Sequence, residues 1–572
     1  MCGMKNVDEK SDVVIIGGVA CGPKTAATLA RRNPSLKITM FQKEARMSYG
    51  SCGMPYFASG DIGSFAELMQ TSYGVVRDAS FFGKVKGFTA LPSAEVISID
   101  RESKTVTLRL LEEDREIVHG YDKLVIATGA TPNRPPFPVA ASDKIRSFTR
   151  PDDAIHFRKL AETGQVGSVA IIGGGFIGCE MAEAAAGLWG IETTLIEREP
   201  QLLPYALDPE MAALAEAEMR KQDVTVLTGT SAEEITESEE GLVVQLVDGD
   251  PIKVDYVFLC LGVTPNTGLA ADAGVEIGDS KGFVVNKRMQ TSDENIYAGG
   301  DCVESTHQLT DRPIYIPLGS LANRHGRVIA ENIAGNNVEF PGVLGAFLVK
   351  IFDVNAGAVG LSEQAAKKAG LEYDVVWGTF PDKPDFYPES QTFAAKMVVE
   401  RTTQRLLGIQ VVGPGDIMRR VDVFSSYLQR QATVDDLLLF EHGYAPPYSE
   451  ALDPLHHLAA LAQAKSRGFD LLFPDGRLLA NEVSEETVLI DVRTEEEAES
   501  EPVPAGLIEA GKKINIPLES LAASVGDLDK SAPTLVVCKR GPRSYQAAII
   551  LKNAGFEKIR FVAAGVAAMI PD

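Results

Sequence analysis

Several features are scarce in this 572-residue chain, and each scarcity removes a class of function. Its seven cysteines, at 2, 21, 52, 179, 260, 302 and 538, form no CxxC pair and no tight Cys/His cluster. That argues against a zinc site, and no metal is expected. No apolar run approaches the roughly 18 residues that a membrane span needs. The start, "MCGMKNVDEKSD", is polar and lacks an apolar signal core, and Cys2 sits in what reads as a disordered start. Basic runs are missing too: 79 acidic residues face 55 basic ones, for a net charge of -24. Neither nucleic acid nor an anionic membrane is expected as a partner, and an anionic small ligand would need a local cluster of cations. Apolar content of 45% and charged content of 23% are those of ordinary globular chains. Length suggests roughly three to five domains. The expectation is a cytoplasmic protein with mostly reduced cysteines.

Against these absences stand two glycine loops. "SDVVIIGGVACGPKTAATLARR" opens with a buried-strand run, Val13 to Ile16, continues through Gly17, Gly18 and Gly22, and ends in a helix-like stretch. Gly17 permits a tight turn, Gly22 lets helix and strand pack closely, and the N–H groups at the helix start face a pyrophosphate. The next strand, "KITMF", ends at Gln42, with Lys43 following, where an acidic ribose ligand is usual. "GSVAIIGGGFIGCEMAEAAAGLWGIETTLIERE" is the fuller fingerprint, with Gly173, Gly175 and Gly178, then Glu180 on the helix and Glu197 ending the following strand. A carboxylate there accepts from the adenosine 2′-OH and repels a 2′-phosphate, which favours NADH over NADPH.

Two further pieces tie the units together. "KLVIATGATPNRPP" places Thr128 and Gly129 after a buried strand, and "TSDENIYAGGDCVE" places Asp301 after Gly299 and Gly300. These resemble the ATG and GD motifs of the pyridine nucleotide–disulfide oxidoreductases, in which the GD aspartate binds the ribitol of FAD. The resemblance implies an α/β chain with two Rossmann-like dinucleotide-binding domains, for FAD and NAD, and an α+β dimerisation domain. The boundaries it suggests are 10–150 and 261–338 for the FAD part, 151–260 for NAD(H) and 339–465 for dimerisation. It also implies a homodimer.

Better-known members of that family use a CxxxxC pair, but here "SYGSCGMPYF" holds Cys52 alone, and no cysteine follows until Cys179. Single-cysteine members form two branches. In NADH peroxidases and oxidases the cysteine cycles through a sulfenic acid; in coenzyme A-disulfide reductases it forms a mixed disulfide with CoA. Ser51 and Met54 resemble the first branch. The loop "GGVACG" lacks the histidine of that branch, and "EHGYAPPYSEALDP" resembles the CoA branch, whose YAPPYS motif gives a tyrosine to the partner subunit's cysteine site. Tyr444 and Tyr448 are the matching candidates, and Tyr387 in "DFYPES" is the second family tyrosine, with Phe386 where the family has another. Cys52 lies in a turn that begins a helix, where a helix N-terminus lowers a thiol pKa. Cys21, Cys179, Cys260 and Cys302 are expected to be structural. CoA would need cations at its mouth; Lys24, Arg31 and Arg32 follow the first glycine loop, and Arg77 follows Cys52.

A last module, 475–572, restarts the pattern with "ETVLIDVRTEEEAES", "KKINIP" and "TLVVCKRGPRS". The backbone N–H groups of Lys539 to Arg543, with Lys539, Arg540 and Arg543 as cations, are expected to surround Cys538 and stabilise an anionic persulfide. This resembles the rhodanese domain, an α/β fold, although the tail lacks the usual tryptophan. Glu495 to Glu497 read as a solvated turn, and His456-His457 as packing, because adjacent residues point to different helix faces.

The combined reading is an FAD-dependent NADH:CoA-disulfide or CoA-persulfide (polysulfide) reductase. Cys52, Tyr444 and Tyr387 are its catalytic candidates, and Cys538 is its sulfane-sulfur carrier. The alternatives are a single-cysteine NADH peroxidase or oxidase, and a sulfur-transfer protein whose flavin part only binds CoA.

Overall fold

A computed structural model describes residues 8–239, 241–472, 483–484, 486–503 and 511–566; Cys2 and the last residues of the tail lie outside them. The chain divides into two compact units, residues 1–198 with 223–343, and residues 199–222 with 344–572.

In the first unit the apolar run of the first glycine segment forms strand Glu9–Ile16, parallel to Ile38–Phe41 on one side and to the end of Arg115–Ile126 on the other. Strands Thr89–Leu91 and Ile296–Ala298 complete the parallel part of this sheet, among the described residues. A second parallel sheet runs Thr225–Thr228, Glu192–Glu197, Ser168–Ile172, Tyr256–Leu259, Ile145–Ser147. The central strands Ser168–Ile172 and Tyr256–Leu259, buried on both faces, are nearly continuous apolar runs rather than alternating ones. A short antiparallel pair, Ala130–Pro132 with Val263–Pro265, links the segments that leave the two sheets. Asn133 and Asn266 lock it reciprocally: Thr264 Oγ1 donates to Asn133 Oδ1 at 2.6 Å, and Thr131 Oγ1 to Asn266 Oδ1 at 2.6 Å.

The second unit contains an antiparallel sheet in the order Phe347–Ile351, Val354–Gly360, Leu406–Gly413, Thr392–Glu400, Tyr373–Pro381. Helices Met418–Gln429 and Pro209–Lys221 pack on it. The latter helix comes from the middle of the second nucleotide segment, and a buried charge cluster accounts for its seat. Lys396, fully buried on its strand, places Nζ 2.9 Å from Asp208, 2.7 Å from Glu363 and in contact with Glu210. Gln410 Nε2 donates to Asp208 at 2.7 Å, and the Trp377 ring lies 5.3 Å from Nζ. The three carboxylates converge as a metal site would, and Lys396 supplies the cation.

The same unit ends in a parallel sheet ordered Asp470–Leu472, Ile559–Val562, Thr534–Val537, Val488–Asp491, Lys513–Asn515. Its "DVR" is a buried clasp: Arg493 Nη2 donates to Asp491 Oδ2 at 2.7 Å and Nη1 to the Glu501 carbonyl at 2.7 Å. The expected α/β fold class, with an α+β dimerisation part and a C-terminal α/β part, is the one observed. Among the described residues no helix is long and apolar enough to cross a membrane.

Replacing Lys396 by Met should cost about 3–5 kcal/mol, because it leaves carboxylates buried without their cation. The check is thermal unfolding of the full-length protein, and an unchanged midpoint would contradict the account.

Candidate functional site

The two glycine loops are built alike, atom for atom. Gly17 and Gly173 have φ of +109° and +113°, and a Cβ on either would lie 2.0 Å from the Ala127 carbonyl oxygen or 2.3 Å from that of Cys260. A Cβ on Gly22 or Gly178 would sit 1.9 Å from the carbonyl oxygen of Gly17 or Gly173. Only glycine lets helices Cys21–Arg32 and Phe176–Glu183 come that close to their strands. At the end of the second strand an acceptor then pins each loop. Gly18 N–H donates to Gln42 Oε1 at 2.7 Å, and Gly174 N–H to Glu197 Oε2 at 2.6 Å. The departure at Gln42 is thereby explained: an amide oxygen holds the loop as a carboxylate does, while its Nε2 bonds Glu44. Loops of this shape, opening onto helix N-termini, fit the pyrophosphates of two dinucleotides.

Around the first loop, Thr128 Oγ1 donates to the Asn266 carbonyl at 2.7 Å, and Asn266 N–H to the Gly129 carbonyl at 2.9 Å. Asn266 was not foreseen from sequence; the repeated tripeptide Thr131-Pro132-Asn133 and Thr264-Pro265-Asn266 was its available signal. Asp301 follows the close-packed Gly299, where a Cβ would be 2.9 Å from Cys21 Sγ. Burial pushes the Asp301 carboxyl up to about 6. Lys43 pairs with Glu95 at 2.7 Å.

Cys52 sits in a 3₁₀ turn, Ser51–Gly53, which leads into helix Met54–Ser59. Its Sγ also lies at the N-terminus of the longer helix Gly319–Ile333: a Cβ on Gly319 would be 3.5 Å away. The expected lowering of the thiol pKa is not what results. Burial raises it, the Glu180 carboxylate adds to the rise, and a hydrogen bond with Ser51 opposes both. Glu180, expected only as a nucleotide contact, is pushed up to about 7 by burial and by Glu183, so its charge at neutral pH is divided between two states. Sequence position alone did not associate Glu180 with Cys52, because the two residues lie on different segments of the first unit.

The cations expected at a CoA mouth are mostly engaged. Arg32 Nη2 pairs with Glu331 at 2.6 Å, and Arg31 Nη2 donates to Thr28 at 3.4 Å. Arg77 donates to the Met69 and Leu68 carbonyls at 3.1 and 3.0 Å, which makes it a brace for the segment after Cys52. Lys24 is half-buried on the first helix. Cys21, Cys179 and Cys302 are buried and Cys260 is nearly so; burial raises the thiols of all four.

In the second unit, Cys538 directly follows strand Thr534–Val537 and is buried ahead of helix Pro542–Asn553. Its Sγ accepts N–H groups from Gly541 at 3.0 Å and Ser544 at 3.3 Å. The expected span, Lys539 to Arg543, needs correction: Pro542 has no N–H to give, and the helix start brings Ser544 in instead. Each of the three loop cations also has a carboxylate partner. Lys539 lies 3.6 Å from Glu501, Arg543 donates to Glu497 at 2.6 Å, and Arg540 forks onto Asp385. Glu497 is therefore no solvated turn. It belongs to helix Glu495–Ser500, whose capping box it closes with Thr494, and hydrogen bonds from Arg543 hold its carboxyl down at about 2. His456 bonds the Phe440 carbonyl at 3.0 Å and stacks on that ring, as packing requires.

Tyr387 is half-buried beside Asp385, and the exposed Phe386 lies between them. Tyr444 and Tyr448 are exposed, and the Tyr448 carbonyl accepts from Arg419 at 2.9 Å. Glu450, in the same YAPPYSE segment, has its carboxyl raised by burial and then by nearby Asp385.

The sequence matches three family descriptions. Pyridine nucleotide-disulphide oxidoreductase covers residues 11–315, its dimerisation domain covers 347–456, and a rhodanese-like domain covers 477–570. A Pyrococcus horikoshii NAD(P)H coenzyme A polysulfide/persulfide reductase is 36% identical over 79% of this chain and 98% of its own. The structure of an NAD-dependent persulfide reductase from A. fulgidus superposes with a TM-score of 0.91 at 37% identity, over 98% of this chain and 100% of that one. Reduced Bacillus anthracis CoADR-RHD superposes with a TM-score of 0.88 at 30% identity, covering 98% of both chains.

The electrostatics at Cys52 predict a specific pH profile. An ionised Glu180 disfavours the thiolate, so Glu180→Gln should speed alkylation of Cys52 above neutral pH and remove an inflection near pH 7. A profile identical to that of the wild type would refute the coupling.

Proposed function

The chain belongs to the pyridine nucleotide-disulphide oxidoreductases, and on that premise we propose that it reduces CoA disulfides, CoA persulfides or polysulfides with NADH. The observation that carries this reading is one chain with two differently built sulfur sites. Cys52 has no sequence-neighbouring cysteine, and Cys538 lies in a loop whose N–H groups complement an anionic sulfur.

FAD would be held by Gly17, Gly18, Gly22, Gln42, Lys43, Ser51, Thr128, Gly129 and Asp301. NADH would be held by Gly173, Gly175, Gly178, Glu180 and Glu197. Bound FAD supplies the two-electron relay between the nicotinamide and a sulfur–sulfur bond. The Cys52 thiolate attacks one sulfur of CoA–S–S–R. A Cys52–S–S–CoA bond forms as the substrate's S–S bond breaks, and R leaves as a thiolate, or as HS⁻ when the substrate is CoA persulfide. Two electrons from NADH then cleave the mixed disulfide to the Cys52 thiolate and CoA thiolate, and Tyr444 from a second subunit protonates the CoA sulfur. Tyr387 would serve as the second family tyrosine, Tyr448 would contact CoA, and Lys24, Arg31, Arg32 and Arg77 would meet its phosphates. Cys538, with Arg540 and Arg543 on its loop, carries sulfane sulfur to or from CoA. The working form is a homodimer, and the setting is cytoplasmic. A peroxide- or oxygen-reducing enzyme is the second reading, favoured by the "SCGM" sequence around Cys52.

Anaerobic NADH consumption with CoA disulfide, CoA persulfide, polysulfide and hydrogen peroxide, followed by a run with oxygen admitted, separates these readings. Cys52→Ser should abolish CoA-disulfide reduction, whereas turnover with peroxide alone would overturn the proposal. Cys538→Ser should spare CoA-disulfide reduction yet impair the use of sulfane donors, and an equal loss of both would count against a separate carrier.

A further inference from the structure

Of the loop cations beside Cys538, Arg540 alone is paired across to the dimerisation part of its unit. Its Nη1 donates to Asp385 Oδ1 at 2.8 Å and its Nη2 bonds Oδ2 of the same carboxylate. Thr379, near the end of strand Tyr373–Pro381, makes a second link, with its Oγ1 donating to the Ala564 carbonyl at 2.8 Å and reaching the Arg540 carbonyl at 3.5 Å. The loop is thus tied through Arg540 to the segment that carries Tyr387, while the stronger Thr379 bond goes to Ala564, outside the loop. The two arginine pairs differ in kind. Glu497 is fixed by its own capping box, so Arg543 is held by a carboxylate that is itself anchored. Asp385 has a side chain 61% exposed, and Arg540 is its hydrogen-bonding partner among the described residues. Meanwhile Cys538 is only 1% exposed, so an incoming sulfur cannot reach Sγ while the loop stays as it is.

We propose that the Arg540–Asp385 pair is an anion-exchanged latch on the sulfur-carrier loop: an anionic sulfane donor displaces Asp385 from Arg540, and the loop opens to expose Cys538. This rests on reading Cys538 as a sulfur carrier. A solvent-exposed guanidinium–carboxylate pair biases an equilibrium by only about twofold to fivefold, so it holds the loop without locking it. A donor anion that pairs with Arg540 only in the open state shifts the balance by its differential affinity. Thr379 bonds Ala564 outside the loop, a neutral contact that the anion leaves in place, so the latch changes access to the sulfur while the docking itself persists. The donor class is therefore a small anion bearing a transferable sulfur, or a thiol compound whose phosphates supply the charge.

The test uses the full-length holoenzyme with thiosulfate as the anionic donor probe. Asp385→Asn should raise the rate of Cys538 alkylation by neutral iodoacetamide about twofold to fivefold without any donor. Sulfate, an anion with no transferable sulfur, should produce the same increase in the wild type and add little in the variant. Asp385→Asn should lower KM for thiosulfate by a similar factor with kcat nearly unchanged, and Asp385→Glu should restore wild-type values. A structural role alone would not lower KM. Unchanged alkylation, or a KM that stays or rises in Asp385→Asn, overturns the latch. Reduction of CoA disulfide, which depends on Cys52, should be the same in wild type and Asp385→Asn. If thiosulfate gives no sulfur transfer in either protein, the carrier reading fails, while the alkylation rates still decide the latch.

Discussion

At both nucleotide loops a helix runs so close to the preceding strand that its early glycine nearly touches a carbonyl oxygen, and most of the first unit depends on that approach. It aims the first N–H groups of the helix at the mouth of the sheet and leaves no room for a side chain to fill the turn. The turn then needs an acceptor to hold it. Gln42 and Glu197 provide one from equivalent positions, at nearly the same distance. That shared role explains why a neutral amide stands where a carboxylate is customary: the loop needs an oxygen, and charge at the strand end is a separate matter, left at the first loop to Glu44.

The two sulfur sites apply one principle under different constraints. Each sulfur lies at a helix start, where N–H groups complement an anion. Cys538 is buried and bonded by two such groups. Cys52 is exposed at its surface, yet partial desolvation and Glu180 work against the thiolate. A thiol whose charge depends on a neighbouring carboxyl that titrates near neutrality responds to protonation of its site.

Charge balance governs the rest of the candidate site. In a chain with an excess of 24 negative charges, the default partner of a cation is a nearby carboxylate. Arg32, Lys43, Arg540 and Arg543 each have one, and Lys396 has three. Cations read from sequence as ligand contacts are therefore held by the protein itself, and an anionic ligand must compete for them. The same excess of acid makes the Lys396 cluster possible, because one buried lysine can gather carboxylates from separate segments.

The sequence by itself determined whatever depends on local order along the chain. It set the strand–turn–helix units with glycine where a Cβ cannot fit, and the single cysteine in each sulfur loop. Those features are legible because their partners lie within one element or one turn. Only the tertiary structure decided the pairings made across long separations. It placed Glu180 against Cys52, Asn266 against Thr128, Asp385 against Arg540, and helix Pro209–Lys221 against the sheet that holds Lys396. The reason is physical: Coulomb and desolvation terms depend on distance and burial in space. A sequence names the groups that carry charge without saying which of them meet.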